Sequence, residues 1–165
     1  MWLLVRAVTY ATLFVGTLLV FLPAQLVSRF GVTTSPAGGM RQAAGGVVTL
    51  LGAALALSCV LTFVVVGRGT PAPFDPPRQL VDRGPYRVVR NPMYVGAVLA
   101  LAGAALYYRS LPLLIYAGFF SLAGHLFVIR YEEPTLRRAF GREYEDYCER
   151  VGRWWPKRKS PEEAA

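Results

Sequence analysis

The chain alternates between long apolar runs and short polar segments. The run at 2–22 carries one charged residue, Arg6, and the run at 43–66 carries none. Each is close to the ~20 apolar residues that a helix needs to cross a bilayer. The first run is longer than the core of a signal peptide, and no clear small-x-small cleavage site follows it, so an uncleaved helix is favoured. The pattern predicts two N-terminal membrane spans joined by a loop at 23–41.

Two shorter apolar runs follow, at 93–107 and 113–129, with a tight turn between them. They predict a helical hairpin. Asn91 is a favourable N-cap residue, and Pro92 suits the first helical position because its missing N–H would have no partner there. The preceding segment, 67–91, contains five prolines, which exclude a regular helix over most of it. Its apolar residues predict an ordered loop that packs on the protein.

From Arg130 onward the sequence is strongly charged. Apolar residues recur there at spacings of three and four, which is typical of one helix face: Leu136, Phe140, Tyr144, Tyr147 and Val151. This pattern predicts an amphipathic helix on the membrane surface, ended by Gly152 and Pro156, with Trp154 and Trp155 at headgroup level. The predicted fold is all-α, a polytopic membrane protein with about four transmembrane helices and a C-terminal amphipathic helix on the cytoplasmic face.

Composition and charge agree with a membrane protein of one domain. The 165 residues are 54% hydrophobic, with a mean hydropathy of +0.37 and a net charge of +8. Because the basic residues lie between and after the apolar runs, anionic lipid or an anionic ligand is favoured, and no nucleic-acid partner is expected. We divide the single domain 1–165 into two N-terminal spans (1–66) and a second part (67–165) that comprises a ligand-binding loop, the helical hairpin and the C-terminal helix.

Arginine placement predicts the orientation. The 67–91 segment carries five arginines and the C-terminal tail carries more, whereas the other connections have only Arg29, Arg41 and Arg109. The positive-inside rule then places both termini and the 67–91 segment in the cytoplasm of a multi-pass protein. The two cysteines, Cys59 and Cys148, are interpreted as packing residues, and we predict no metal site.

Several polar groups are predicted to meet at this cytoplasmic surface. Arg87, Arg90, Asn91 and Tyr94 surround a helix start, which is suited to an anion. His125 lies inside the last predicted span, where an ionisable residue is a functional candidate by default. At about 100° per residue, Glu132 returns to the helix face of His125, whereas Glu133 points to the side.

Each of these features also has a purely structural interpretation. His125 is equally compatible with a satisfied core histidine. The arginines at the helix start are compatible with topology determinants, and the two glutamates with solvated charges. Gly67 and Gly69 form a Gly-x-Gly that is also compatible with a simple end to the second span.

Four motifs in a fixed order carry a family resemblance. They are Arg-Asn-Pro-Met-Tyr-x-Gly (90–96), Tyr-Glu-Glu-Pro (131–134), Phe-Gly-x-x-Tyr-x-x-Tyr (140–147) and Val-x-Arg-Trp (151–154). Together they resemble the integral-membrane methyltransferases, which include isoprenylcysteine carboxyl methyltransferases and phospholipid N-methyltransferases. The resemblance covers 63–156. Asn91 stands where the isoprenylcysteine branch has histidine, and the first two motifs are more similar to the phosphatidylethanolamine branch. The tail is more like the isoprenylcysteine branch, so the acceptor stays open.

The resemblance implies S-adenosylmethionine as cofactor. The residues expected to bind it are Gly67, Gly69, Tyr86, Arg87, Arg90, Asn91, Pro92, Tyr94, His125, Tyr131, Glu132 and Glu133. Arg90 suits the carboxylate, the glutamates suit the ammonium or ribose hydroxyls, and the tyrosines suit the adenine or the sulfonium. The expected catalytic residues are Arg90, Glu132 and His125, with Glu132 or His125 as the base for an amine acceptor.

The implied function is methyl transfer to a lipid or lipid-like acceptor at the cytoplasmic membrane face. Candidate acceptors are a prenylcysteine-type carboxylate, a phospholipid amine or a thiol. One alternative is an NADPH-dependent membrane reductase of the sterol-reductase type, although the larger dinucleotide needs a larger polar cradle than these loops offer. A second alternative is a non-enzymatic membrane scaffold or permeation element. A transport path would place polar residues deep in several spans.

Overall fold

A computed structural model describes Thr9, Leu13 and residues 16–30, 39–67 and 79–157. All regular elements in these ranges are helical, which confirms the predicted all-α class. The α-helices are α1 (Leu22–Phe30), α2 (Met40–Val65), α3 (Pro92–Tyr108), α4 (Leu111–Phe127), α5 (Glu133–Phe140) and α6 (Arg142–Arg150). A π-helical turn, Gly16–Phe21, precedes α1, a second one, Val128–Glu132, joins α4 to α5, and a 3₁₀ turn, Gly84–Arg87, precedes α3.

Within the described ranges, two helices are long and apolar enough to cross a membrane. They are Met40–Val65, with a mean hydropathy of 2.4, and the continuous helix Leu111–Phe140, with a mean hydropathy of 1.8. Two shorter apolar helices, Gly16–Phe30 and Pro92–Tyr108, lie beside them. The outward faces of the long helices carry exposed apolar side chains such as Leu50 and Phe119, which are 71% and 68% exposed. Such a surface suits lipid rather than water.

Small residues bring α2 and α3 into close contact. A Cβ atom added at Gly45 would lie 2.6 Å from the backbone nitrogen of Tyr107, and one added at Gly96 would lie 2.7 Å from that of Ala56. Glycine is therefore needed on both helices, which is also the pattern of closely packed helix pairs in membrane proteins. The Thr49 hydroxyl, part-buried at this contact, donates to the Gly45 carbonyl over 2.8 Å. This close contact fixes the position of α3 against α2.

The prediction of a loop at 23–41 is wrong for residues 23–30. Residues 23–30 continue the helix as α1, and α2 already begins at Met40. The π-helical turn Gly16–Phe21 ends two residues before Pro23, which lies in the first turn of α1, where proline is tolerated. The helix can therefore pass the proline without ending.

The start of α3 matches the prediction, but its cap does not. The helix begins at Pro92, directly after Asn91. The Asn91 side chain makes no capping hydrogen bond; its Nδ2 donates instead to the carbonyl of Arg153 over 3.3 Å. The tight turn between α3 and α4 is present, with Arg109 in the left-handed region at φ 52° and the Ser110 hydroxyl accepting from the Leu113 N–H.

The predicted C-terminal amphipathic helix is two helices. Gly141, at φ 52°, separates α5 from α6, in a conformation that glycine adopts most readily. The predicted apolar face exists, but it packs into the protein: Tyr144, Tyr147 and Val151 form a buried cluster with Leu80 and the partly buried apolar residues of α5. This face covers the 79–91 segment.

Candidate functional site

Residues 151–157, which we call the C-terminal strap, lie against the segment that leads into α3. Val89 and Gly152 form a parallel β-bridge, and the Arg90 N–H donates to the Gly152 carbonyl over 2.8 Å. A Cβ atom at Gly152 would collide with the carbonyl oxygen of Trp155, so this tight turn requires glycine. This pairing places the side chains of Arg153 and Trp154 next to the start of α3.

An ion cluster forms where the strap meets α3 and α5. Glu133 is 5% exposed. Its Oε1 accepts from Arg90 Nη1 over 3.0 Å and from Arg153 Nε over 2.6 Å, and its Oε2 accepts from Arg153 Nη2 over 2.8 Å. Arg153 thus binds the carboxylate with two hydrogen bonds, the strongest arrangement for this pair. Two cations share one anion, so the cluster keeps a positive charge.

Arg90 has more hydrogen-bond donors than the described residues satisfy. Its Nη1 also donates to the Cys148 sulfur over 2.7 Å. Its Nε is buried and finds no hydrogen-bond partner among the described residues. A buried donor without a partner costs free energy, which a bound acceptor would recover. Arg90 borders a small cavity of about 30 Å³. The remaining wall of that cavity is formed by Phe63, Leu80, Val81, Tyr86, Asn91, Glu132, Glu133, Leu136, Tyr144 and Tyr147.

Glu132 faces a different set of groups from Glu133. The Tyr94 hydroxyl donates to Glu132 Oε2 in a long hydrogen bond of 3.5 Å. The Tyr94 ring packs edge-on against the Trp154 indole, at a centroid distance of 6.3 Å, and lies over Gly124. Trp154 in turn donates its Nε1–H to Nδ1 of His125 over 3.0 Å. Glu132, Tyr94, Trp154 and His125 thus form one chain of contacts, with a hydrogen bond at each end and an aromatic contact between Tyr94 and Trp154.

Buried tyrosines close the other side of the cavity. The Tyr147 hydroxyl donates to the Tyr86 carbonyl over 2.7 Å. Burial raises the pKa of the Tyr86, Tyr144 and Tyr147 hydroxyls well above their ordinary range. The neighbouring Arg90 guanidinium lowers the pKa of Tyr144 by a smaller amount. All three hydroxyls stay neutral at physiological pH and add no negative charge beside Arg90.

The structure brings together most of the residues predicted from sequence, but not all. Tyr86, Arg90, Asn91, Glu132 and Glu133 share the cavity wall, and Pro92 is buried at the adjacent helix start. Tyr94 and His125 join them through the Trp154 contacts.

The other predicted residues lie apart. Arg87 is exposed, and Tyr131 is 44% exposed and packs on Phe127. Gly67 is buried just after the end of α2. Gly69 falls outside the described residues.

Sequence reasoning missed the roles of three residues near the C-terminus. Arg153 completes the ion cluster, Trp154 binds His125 instead of lying only at headgroup level, and Cys148 contacts Arg90. The signal for two of them was the Val-x-Arg-Trp motif, which was noted only as part of the resemblance. No sequence pattern on its own pairs that motif with Glu133 or His125.

A sequence model of the phospholipid methyltransferase family matches residues 40–143, well over half of the chain. The chain belongs to the phospholipid methyltransferase family. The resemblance to membrane methyltransferases is therefore confirmed. The matched region of this family member contains Arg90, Glu132 and Glu133, and ends before the C-terminal strap. No curated protein and no solved structure gives a significant match.

The family implies S-adenosylmethionine, and the chemistry of the site fits its amino-acid end. Arg90 offers a buried Nε–H that no described residue accepts from, which suits a carboxylate. Glu132 offers a carboxylate that accepts a long hydrogen bond from Tyr94, which suits an ammonium or ribose hydroxyls. Glu133 fits less well as a direct ligand, since both of its oxygens are already bound by arginines.

Proposed function

We propose that this family member transfers a methyl group from S-adenosylmethionine to a lipid or lipid-like acceptor at the cytoplasmic face of the membrane. One observation carries the proposal: Arg90, whose buried Nε has no hydrogen-bond partner among the described residues, lines the same cavity as the carboxylate of Glu132. A cation and an anion side by side match the carboxylate and ammonium of the cofactor. Membership in a methyltransferase family supports the same chemistry.

In this proposal Arg90 and the N-terminus of α3 hold the cofactor carboxylate, and Glu132 holds the ammonium or the ribose hydroxyls. Tyr86, Asn91 and Tyr94 complete the surrounding wall. Gly67, Gly69, Arg87 and Tyr131 stay predictions as cofactor contacts. Glu133 acts by orienting arginines.

When bound, S-adenosylmethionine supplies an electrophilic methyl group on its sulfonium. The protein positions the reacting groups and excludes water from them, which are the main requirements of an in-line displacement. The buried rings of Tyr86, Tyr144 and Tyr147 exclude water from one side of the cavity. Their neutral hydroxyls offer no competing nucleophile.

An amine acceptor must lose a proton before or during transfer, and we propose that one carboxylate oxygen of Glu132 takes it while the other keeps its contact with the cofactor. His125 is less suited to that role, because its Nδ1 already accepts the Trp154 indole N–H. A neutral histidine whose Nδ1 accepts carries its proton on Nε2, so neither ring nitrogen is free to accept. We therefore propose that His125 orients Trp154 and, through it, Tyr94.

We further propose that four helices span the bilayer, with both termini in the cytoplasm. The two long helices and the two shorter apolar helices supply the spans. The arginines of the 67–91 segment and of the C-terminal region support this orientation. The acceptor would then enter from the bilayer, and the cofactor from the cytoplasm.

The experiment is methyl transfer by the full-length protein in lipid nanodiscs, with methyl-labelled S-adenosylmethionine. Separate reactions contain phosphatidylethanolamine, a prenylcysteine analogue or a long-chain thiol. We expect label in one extracted lipid product and saturable cofactor binding by calorimetry. Folded protein that binds NADPH but not S-adenosylmethionine would favour the reductase, and binding of neither would favour a non-enzymatic role.

A further inference from the structure

We propose that Arg153 is a positioning residue that keeps Arg90 available to the carboxylate of the cofactor. The inference rests on the proposed function. It assigns a role to the C-terminal strap, which lies beyond the residues matched by the family.

The first support is the sharing of Glu133. Arg153 binds both carboxylate oxygens, at 2.6 and 2.8 Å, whereas Arg90 binds one of them, at 3.0 Å. The hydrogen bonds that Arg153 donates to the Glu133 carboxylate raise the pKa of Arg153, so its guanidinium stays positively charged. With Glu133 largely taken up by Arg153, Arg90 keeps a donor, Nε, that no described residue satisfies.

The second support is charge. Arg90 with Glu133 alone would be a neutral pair and would attract an anion weakly. Arg153 adds a positive charge, so the cluster of Arg90, Glu133 and Arg153 carries an excess of +1, formed from two cations and one anion. In a partly buried site such an excess favours a carboxylate ligand, because screening by water is weak there.

The third support is how Arg153 is held. Its carbonyl accepts from Asn91 Nδ2, and the preceding Gly152 carbonyl accepts from the Arg90 N–H. The strap is thus tied to the same segment that carries Arg90. Arg153 itself is not part of the cavity wall formed by the described residues, and its side chain is 33% exposed. It therefore acts on the ligand through Glu133 and Arg90.

The test compares a ligand that has the amino-acid group with one that lacks both this group and the sulfonium charge, so each variant is judged by how its effect differs between the two ligands. S-adenosylmethionine carries the carboxylate, whereas 5′-methylthioadenosine lacks the whole amino-acid group. Calorimetry would measure both with wild type, Arg153→Ala, Arg153→Lys and the matched control Arg150→Ala, which removes an exposed arginine of α6. Thermal unfolding in detergent reports whether each variant is folded.

We expect Arg153→Ala to weaken S-adenosylmethionine binding by about ten- to hundredfold. This is the effect of losing the hydrogen bond from Arg90 to the charged carboxylate of the cofactor. Binding of 5′-methylthioadenosine should change less than about twofold. Arg153→Lys keeps the charge without the two-point contact, so it should recover part of the affinity. In a Glu133→Gln background, Arg153→Ala should cause little further loss, since the effect passes through Glu133.

A merely structural role gives a different pattern. Equal weakening of both ligands, or no weakening of either, would overturn the inference even though wild type binds S-adenosylmethionine. Full additivity of Arg153→Ala with Glu133→Gln would overturn it as well. If Arg153→Ala is unfolded, Arg153→Lys decides: an unchanged affinity ratio between the two ligands counts against the inference. Absence of S-adenosylmethionine binding by folded wild type would instead reject the proposed function itself.

Discussion

The indole N–H of Trp154 donates to Nδ1 of His125 over 3.0 Å. This contact joins the C-terminal strap to the last turns of α4, and it places an aromatic ring between His125 and Tyr94. The histidine that sequence reasoning treats as a candidate base is therefore already engaged. The proton acceptor in our proposal is the neighbouring carboxylate, Glu132.

The first prediction separates these two candidates. With an amine acceptor, Glu132→Gln should lower kcat by about a hundredfold or more, the usual contribution of a general base. His125→Phe should lower kcat by less than about tenfold, because only an orienting hydrogen bond is lost. Steady-state kinetics at saturating cofactor measures both. The reverse ranking of the two variants would restore His125 as the base.

The second prediction concerns the ion cluster. Glu133→Ala leaves two arginines without their anion and should destabilise the folded protein by about 3 kcal/mol, the cost of breaking a buried ion pair. Glu149→Ala removes an exposed glutamate of α6 and should change stability by less than about 0.5 kcal/mol. Chemical denaturation in mixed micelles measures the difference. Equal stability of the two variants would show that the Glu133 contacts contribute nothing.

The third prediction tests the close contact of α2 and α3. Gly96→Val places atoms where the backbone of Ala56 lies 2.7 Å from the first added carbon, so the helices must separate. We expect a loss of about 1–3 kcal/mol or more, the typical cost of overpacking. Gly118→Ala is the matched control, since nothing lies within 4 Å of its added carbon. Thermal unfolding measures both, and similar unfolding temperatures for the two variants would contradict the packing.

The fourth prediction addresses topology. Arg87 precedes α3, and Arg109 lies in the turn after it, so a spanning α3 puts the two on opposite membrane faces. Cysteines introduced one at a time as Arg87→Cys and Arg109→Cys should react with a membrane-impermeant thiol reagent from opposite sides of sealed vesicles. The background carries Cys148→Ser and keeps the buried Cys59, and the background alone is the labelling control. Arg87→Cys should react from the cytoplasmic side. Labelling of both from the same side would exclude the four-span arrangement.

Sequence alone determined the features that depend on neighbouring residues. The start of α3 at Pro92 follows from the backbone restrictions of proline. The long apolar helices follow from runs of about the length that a helix needs to cross a bilayer. The apolar face through Tyr144 and Tyr147 follows from helical periodicity. The order of the polar motifs was enough to indicate the family, because those residues occupy fixed places along the chain.

Tertiary structure decided which charges meet. The π-helical turn Val128–Glu132 changes the angle between successive residues in the segment that carries the two glutamates. Counting residues at about 100° per residue therefore could not predict that Glu133 lies between Arg90 and Arg153. The partners Arg153 and Trp154 come from a strap with no helical period of its own. Their contacts exist because Gly152 pairs with Val89, and such long-range pairing depends on the packing of the whole chain.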